Sequence, residues 1–408
     1  MDNNSKPKFT ISTNTSQYED LGLNGNANPQ LMPYYPKYSY LDNLLSCNPK
    51  KIINIFVDVK GCCTGIYQEW CVLRIINSSK SERHLNLDLF SSLLYFIAFH
   101  KKYSAKRDVK FNIIFFMEQG RSKYHLNIYD KYKENRQNSD FFGLDTKNRE
   151  DFFNILDKNY SLCEYVINRI PDCSFYCLKH CEADFLPYYI MKYKMTLEQR
   201  ESALNIIYSR DKDMLQCLEF ENSYQYYRAM NCDKTEYITK DTLFSHFCKM
   251  ECPPVKDSAK WFPLVLSLCG DTGDGIPGIK GLGPKVIFKN IDTIMKAFNY
   301  DADKMYDRVL KGDNILTESW EYSSTSTLTK IFSHPDIVSR NMKLISYRAL
   351  SEYLNGGFPT STIEIKQYID KIYNGTPKLS SYKVLWDNMN KKGLSDIIDI
   401  RTVEECFL

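Results

Sequence analysis

The sequence predicts an α/β fold with a mostly parallel central sheet, extended by a helical C-terminal half. Three observations carry that reading. Short β-rich runs alternate with amphipathic stretches between about residues 51 and 220, the arrangement that gives a parallel sheet flanked by helices. Strand-like runs stop past about 240. The chain has 408 residues, enough for about two to three domains and for a full buried core without covalent staples.

Residues 1–50 are rich in Asn, Ser, Pro and Tyr and lack a sustained period, so a poorly ordered tail or an irregular wrap is expected. Ile52–Val57, Val109–Phe116, Ser174–Leu178 and Leu204–Tyr208 have strand length and strand composition. Leu89, Phe90, Leu93, Leu94 and Ile97 fall at helical spacing within Leu85–Lys102. A second helix is expected from Glu182 onward, with Pro187 tolerated near its first turn, where amides lack partners. Asp241–Met250 and Lys256–Cys269 read as helices, then a Gly-rich segment leads into a helix beginning at Pro284. The last hundred residues read as mostly helical and carry no recognisable motif. The divisions are therefore 1–50, an α/β core over 51–240, a Gly-rich helical subdomain over 241–300, and an extension over 301–408.

Composition narrows the function class. Hydrophobic residues are 43% and charged residues 25%, which excludes global disorder, collagen and coiled coil. A net charge of +3 predicts no polyanion partner overall, so nucleic-acid binding would have to come from local patches. Fourteen cysteines and a polar start, Met1 to Lys6, predict reduced thiols and an intracellular protein without an export signal. Trp261–Cys269 and Leu89–Phe99 are too short and broken to cross a membrane, so a soluble protein is expected.

Acids sit at the end of every predicted strand: Asp58 after the first, Glu118 after the second, Glu182 and Asp184 after the third, Asp211 and Asp213 after the fourth. Strand C-termini of a parallel sheet share one edge, where open α/β folds build their sites. Six converging carboxylates would repel one another unless a cation lies between them. An all-oxygen shell suits Mg²⁺ or Mn²⁺ rather than zinc. Any single one of these acids is as well explained as a solvated loop residue; all four strands together are not.

Residues 270–285, GDTGDGIPGIKGLGPK, hold Asp271 and Asp274 followed by Gly278, Gly281 and Gly283. Glycine lets backbone approach a phosphate closely, and Lys280, Lys285 and Lys289 add positive charge. That combination grips a sugar–phosphate backbone without reading bases. No Gly-Lys-Ser/Thr follows at the spacing of a phosphate-binding P-loop.

This segment resembles the helix–hairpin–helix element of the 5′-nuclease superfamily, which includes flap endonucleases, the 5′-nuclease domain of bacterial DNA polymerase I and phage 5′→3′ exonucleases. The other motifs stand in the same order. Phe56-Val57-Asp58 resembles the first strand and its metal-binding Asp. Glu118 to Ser122, with Tyr132-Lys133-Glu134-Asn135-Arg136, resembles the second acidic motif and its Tyr-Lys-x-x-Arg sequel, nearest the phage branch. Glu182-Ala183-Asp184 and Asp211-Lys212-Asp213 resemble the family's Glu-Ala-Asp/Glu and Asp-x-Asp motifs. Two departures stand out: Glu118 where the family usually has Asp, and Phe185 where many members have a further Asp.

The resemblance covers about residues 50–295 and implies a PIN-like (Rossmann-like) core and a two-metal phosphodiesterase. It implies Glu182, Asp184, Asp211 and Asp213 around one Mg²⁺ or Mn²⁺, Asp271 and Asp274 at a second, and Asp58 and Glu118 acting partly through water. It places Lys133 and Arg136 on the scissile phosphate, at the base of an arch over about 121–153 whose Arg121 and Lys123 contact DNA. It adds a monovalent cation at the helix–hairpin–helix. The partners it implies are branched, nicked or flapped DNA, RNA–DNA hybrid and replication proteins, met by a monomer.

Two other readings remain open on the residues alone. A non-catalytic DNA-structure-binding homologue would keep the grip and lose the metals; a PIN-type ribonuclease would explain the acids but not the Gly-rich segment. Cys173, Cys177, Cys181 and His180, or His246, Cys248 and Cys252, could hold zinc, although neither shows paired spacing and buried thiols are the commoner outcome. Tyr124, Tyr129 and Tyr132 interleave with the basic stretch and could stack on bases.

Overall fold

Six strands form one sheet in the order β3-β2-β1-β4-β5-β6, where β1 is Ile52–Asp58, β2 Lys110–Gln119, β3 Cys173–Lys179, β4 Ala203–Tyr208, β5 Ser223–Arg228 and β6 Thr235–Ile238. The first five run parallel and β6 pairs antiparallel to β5. The computed structural model describes residues 38–62, 82–136, 146–228, 235–312, 329–331, 333–356, 360–392 and 398–408. The four expected strands are present within a few residues of their sequence bounds, β2 reaching further to include Glu118. β5 and β6 correct the expectation of a four-strand pattern: Tyr224, Tyr226, Tyr227 and Tyr237 are amphipathic, so their alternation is weak in the sequence.

Parallel pairing requires crossovers, and helices Glu82–Arg107 and Thr146–Ile167 supply them between β1 and β2 and between β2 and β3. The strand order reverses between β1 and β4, and it is at such a switch point, outside the carboxyl ends of the strands, that open α/β sheets bind ligands. Register is pinned by a buried polar ladder across the three central strands. Asn54 donates to Asn205 at 2.9 Å and Asn112 donates to Asn54 at 2.8 Å, each pair directly opposite in register. A one-residue slip would strand these amides in the core, a high cost.

Side chains alternate between the two sheet faces. Ile53, Ile55, Val57, Ile113, Phe115, Ile206 and Tyr208 build one core with the helices, and Phe56, Phe116, Tyr176 and Ile207 build the other. A third core joins helix Ser258–Cys269, a two-residue hairpin (Gly270–Asp271 against Ile276–Pro277) and helices Pro284–Lys289 and Ile291–Ala297. That hairpin is the one strand pairing past residue 240 among the described residues.

Both chain ends depart from their sequence reading. Residues 1–37 lie outside the described residues, but Tyr38–Cys47 is a helix whose Leu41 and Leu44 are buried in the first core. The C-terminal hundred residues are helical as expected, and they are woven in rather than appended. Leu385, Met389, Val403 and Cys406 lie in the first core, Val338 and Met342 in the third, and Tyr347, Leu350, Leu354 and Ile369 in the second. Among the described residues no helix is long and apolar enough to cross a membrane.

Candidate active site

The sheet's carboxyl edge delivers the acids from separate segments. Asp58 is the last residue of β1 and Glu118 lies at the end of β2. Glu182 and Asp184 occupy the loop after β3, which ends at the turn Leu186–Tyr189 with Pro187 in its first positions. The longer helix expected from Glu182 is thus cut to one turn followed by a π-turn over Ile190–Lys194. Asp211 caps a 3₁₀ helix over Lys212–Glu219, accepting the Asp213 N–H at 2.9 Å. Asp271 and Asp274 belong to the two-residue hairpin and its turn.

All eight acids act on one another electrostatically. Burial, and then the neighbouring charges of Glu118 and Asp211, pushes the Asp58 carboxyl up to about 6, even though it accepts from Gly61 N at 2.9 Å and Ser209 Oγ at 2.8 Å. Asp184 is pushed well above the carboxylate range by burial and by Glu118, Asp211, Asp58 and Glu182. Asp213 is raised in the same way by burial and Asp211, and its buried Oδ1 makes no hydrogen bond.

Three lysines pair with four of the other acids. Lys133 Nζ lies 2.6 Å from Glu182 and 3.8 Å from Asp274. Burial opposes ionisation of Glu182, yet Lys133, His125 and Lys60 together outweigh it and hold this carboxyl at about 2. Lys212 Nζ lies 2.7 Å from Asp271, which is held below the usual range despite partial burial. Lys60 Nζ lies 2.6 Å from Glu118. Lys133 adopts a left-handed backbone (φ 56°), its N–H donating to the Asp274 carbonyl at 2.8 Å, while Tyr132 hydroxyl donates to the Asp274 carboxylate at 3.0 Å. The basic motif and the Gly-rich hairpin are thereby fastened together.

Among the described residues no three His, Cys, Asp or Glu side chains stand preassembled around one point. The donor set nevertheless fits a hard divalent cation: it is all oxygen, Asp213 Oδ1 makes no hydrogen bond and meets Lys212 Nζ only at 3.8 Å, and Asp58 and Asp184 form no ion pair among the described residues.

Several other expectations change. Arg121 donates to the Tyr132 carbonyl and braces the loop instead of presenting its guanidinium outward. Lys123 is exposed in the short helix Lys123–Ile128, and Lys280, Lys285, Lys289, Gly281 and Gly283 are exposed along one stretch. Gly278 serves packing: a Cβ there would lie 2.1 Å from the Cys269 carbonyl oxygen. The Arg136 side chain and residues 137–145 of the expected arch lie outside the described residues. The tyrosines expected to stack on bases have intramolecular partners. Tyr124 hydroxyl donates to the Lys343 carbonyl, Arg340 lies over the Tyr129 ring, and Tyr132 is buried against His125. Phe185 is fully buried against Tyr189. Cys173 and Cys177 pack in the first core, Cys181 in the second, and His246 pairs with Glu236 at 2.9 Å.

Four participants have no distinguishing sequence signal. Lys60 and Lys212 are ordinary surface-type lysines in sequence, and Ser209 acts only through the fold. Gly61 is required because a Cβ would fall 2.2 Å from the Asp58 carboxylate.

No family profile matches the chain. A curated 5′-3′ exonuclease of Mycoplasma pneumoniae is 30% identical over 179 residues, which is 43% of this chain and 57% of that relative. The match thus spans little more than half of the relative's length. The phage T5 D15 protein, co-crystallised with metal ions, superposes with a TM-score of 0.51 at 15% identity over 79% of this chain and 98% of that one. The T5 D15 flap endonuclease, in a complex with DNA and metal ions, gives the same score and identity over 79% and 99%. Motif order, sheet topology and these comparisons agree: the chain has the PIN-like α/β fold of the 5′-nuclease superfamily and resembles its phage branch.

Proposed function

We propose that this protein is a divalent-metal-dependent 5′ nuclease that hydrolyses phosphodiesters at DNA 5′ ends or flaps. The observation that carries the reading is the pair of desolvated carboxyls at Asp58 and Asp184, which form no ion pair among the described residues, with Asp213 meeting Lys212 only at 3.8 Å, beside acids already neutralised by lysine. A binding protein gains nothing from such a cluster, since it destabilises the fold unless a cation enters. The similarity to a 5′-3′ exonuclease and to the T5 enzyme supports the same conclusion.

Glu182, Asp184, Asp211 and Asp213 would hold one Mg²⁺ or Mn²⁺; Asp271 and Asp274 would support a second, with Asp58 and Glu118 acting partly through water. Such ions, when bound, supply an activated water nucleophile and stabilise charge on the leaving oxygen. Lys133 lies at the rim between Glu182 and Asp274, where its ammonium can bind a phosphate oxygen. Arg136, one helical turn on, would add a planar fork to the same phosphate. Ser209 and the Gly61 amide orient Asp58. Lys280, Lys285 and Lys289 would neutralise backbone phosphates of the duplex without base readout, with a monovalent cation at the same hairpin. RNA–DNA hybrid is a further substrate on this reading, since a backbone grip reads no base, and the monomer would act alongside replication proteins.

The test is cleavage of a labelled 5′-flap duplex in Mg²⁺, with an EDTA control and an Asp211→Asn variant. Metal-dependent product that disappears in the variant supports the proposal. Tight flap binding without cleavage in Mg²⁺ or Mn²⁺ would replace it with a DNA-structure-binding role.

A further inference from the structure

The C-terminal extension reaches the acidic cleft through one side chain. Tyr347 begins helix Tyr347–Asn355, and its ring is buried in the second core. Its backbone is clamped to the acidic segment: the Tyr347 N–H donates to Gln216 Oε1 at 2.9 Å, and Gln216 Nε2 donates to the Ile345 carbonyl at 3.0 Å. Gln216 lies in the 3₁₀ helix that Asp211 caps, so this double bond fixes residue 347 relative to Asp211 and Asp213. The Tyr347 hydroxyl is buried and makes no hydrogen bond, and after burial the charges that most oppose its ionisation are those of Asp184, Asp211 and Asp213. Asp213 Oδ1 is likewise buried without a hydrogen bond.

An unsatisfied donor and an unsatisfied acceptor in one desolvated region are each costly, and buried polar groups are retained unpaired chiefly where function uses them. Phenylalanine would fill the same volume without that cost.

We propose that Tyr347 is a positioning residue of the acidic cleft, its unpaired hydroxyl held in reserve as a donor to the Asp184–Asp211–Asp213 carboxylates when these close on a divalent cation. The extension would then complete the site, a role that no motif in residues 301–408 announces. This rests on the reading that these acids hold metal.

The test is Mn²⁺ binding to the full chain, followed by electron paramagnetic resonance, for Tyr347→Phe and Asp213→Asn, with thermal melts in EDTA. Losing an outer partner of metal ligands weakens affinity about 10–100-fold, so Tyr347→Phe should weaken Mn²⁺ binding about tenfold or more. Its metal-free melting temperature should be unchanged or slightly raised, a combination that a merely space-filling role would not give. Unchanged Mn²⁺ affinity in Tyr347→Phe, with Asp213→Asn impaired, would overturn the role of Tyr347 alone. If neither variant alters binding, the metal reading fails and this inference with it.

Discussion

The two halves of the acidic cleft are built on opposite principles. On one side Glu182, Asp274, Asp271 and Glu118 face Lys133, Lys212 and Lys60, and the fold supplies their counter-charges. On the other, Asp58 and Asp184 form no ion pair among the described residues, Asp213 has Lys212 only at 3.8 Å, and their carboxyls rise accordingly. The difference teaches where the chain supplies its own counter-charges and where the proposed metal ions would supply them. The lysine-paired side contributes to folding at neutral pH. The unpaired side opposes it, a strain that a site retains when activity depends on it.

The sharpest way to break this contrast is to remove an unpaired acid. Asp184→Asn should cut Mg²⁺-dependent cleavage more than about 100-fold, beyond the range for losing a supporting contact. The same change should raise the metal-free melting temperature, because a buried like-charge repulsion is gone. A variant that loses activity and stability together would contradict the division.

Removing a cation from the paired side should do the reverse. Lys133→Met leaves Glu182 and Asp274 buried without compensation and should cost about 3 kcal/mol of metal-free stability, measured by urea denaturation. Added Mg²⁺ should restore part of that loss.

The pH dependence separates the halves without mutation. Asp58 holds its proton in the fold up to about 6 but releases it near 3.8 when unfolded, so the native state binds more protons in that interval. Its contribution to metal-free stability therefore falls as pH rises from about 4 to about 6. Glu182, held at about 2 against an ordinary 4.5, gives stability that is present above 4.5 and lost as pH falls toward 2. Mg²⁺ should consequently raise the melting temperature more at pH 8 than at pH 5. An equal shift at both values would remove Asp58 from the ion-binding set.

The smallest effect is expected at Lys60, whose side chain is 45% exposed beside Glu118. Lys60→Met should change stability by less than about 1 kcal/mol. A much larger loss would place Lys60 with Lys133 as a structural cation.

Much of the site was legible because motif acids at strand ends obey a topological rule: parallel strands bring their carboxyl ends to one edge. Asp58, Glu118, Glu182, Asp184, Asp211 and Asp213 come together for that reason. Asp271, Asp274 and Gly278 were legible as a Gly-rich turn, but the close approach that makes Gly278 necessary is a tertiary contact with Cys269. Arg121 and Tyr132 read as nucleic-acid contacts because basic and aromatic residues interleave there. The fold turns both inward, Arg121 to a carbonyl and Tyr132 to Asp274. Helix Tyr38–Cys47 escaped notice because its apolar stripe is only Leu41, Leu44 and Leu45 within a polar surrounding.

The sequence alone determined the α/β class, four of the six sheet strands, the order of the acidic motifs and the Gly-rich hairpin. Each depends on local periodicity or on residue type at fixed spacing. Only the tertiary structure decided which acids receive a lysine, how Gly61 and Ser209 hold Asp58, and that Tyr347 arrives from far along the chain. Apart from the local Gly61 contact, those outcomes depend on distances between segments 49 or more residues apart, and such distances leave no periodic trace in a linear sequence. Charge compensation and burial, set by packing, divide one cleft into a side the protein satisfies and a side it leaves for a cation.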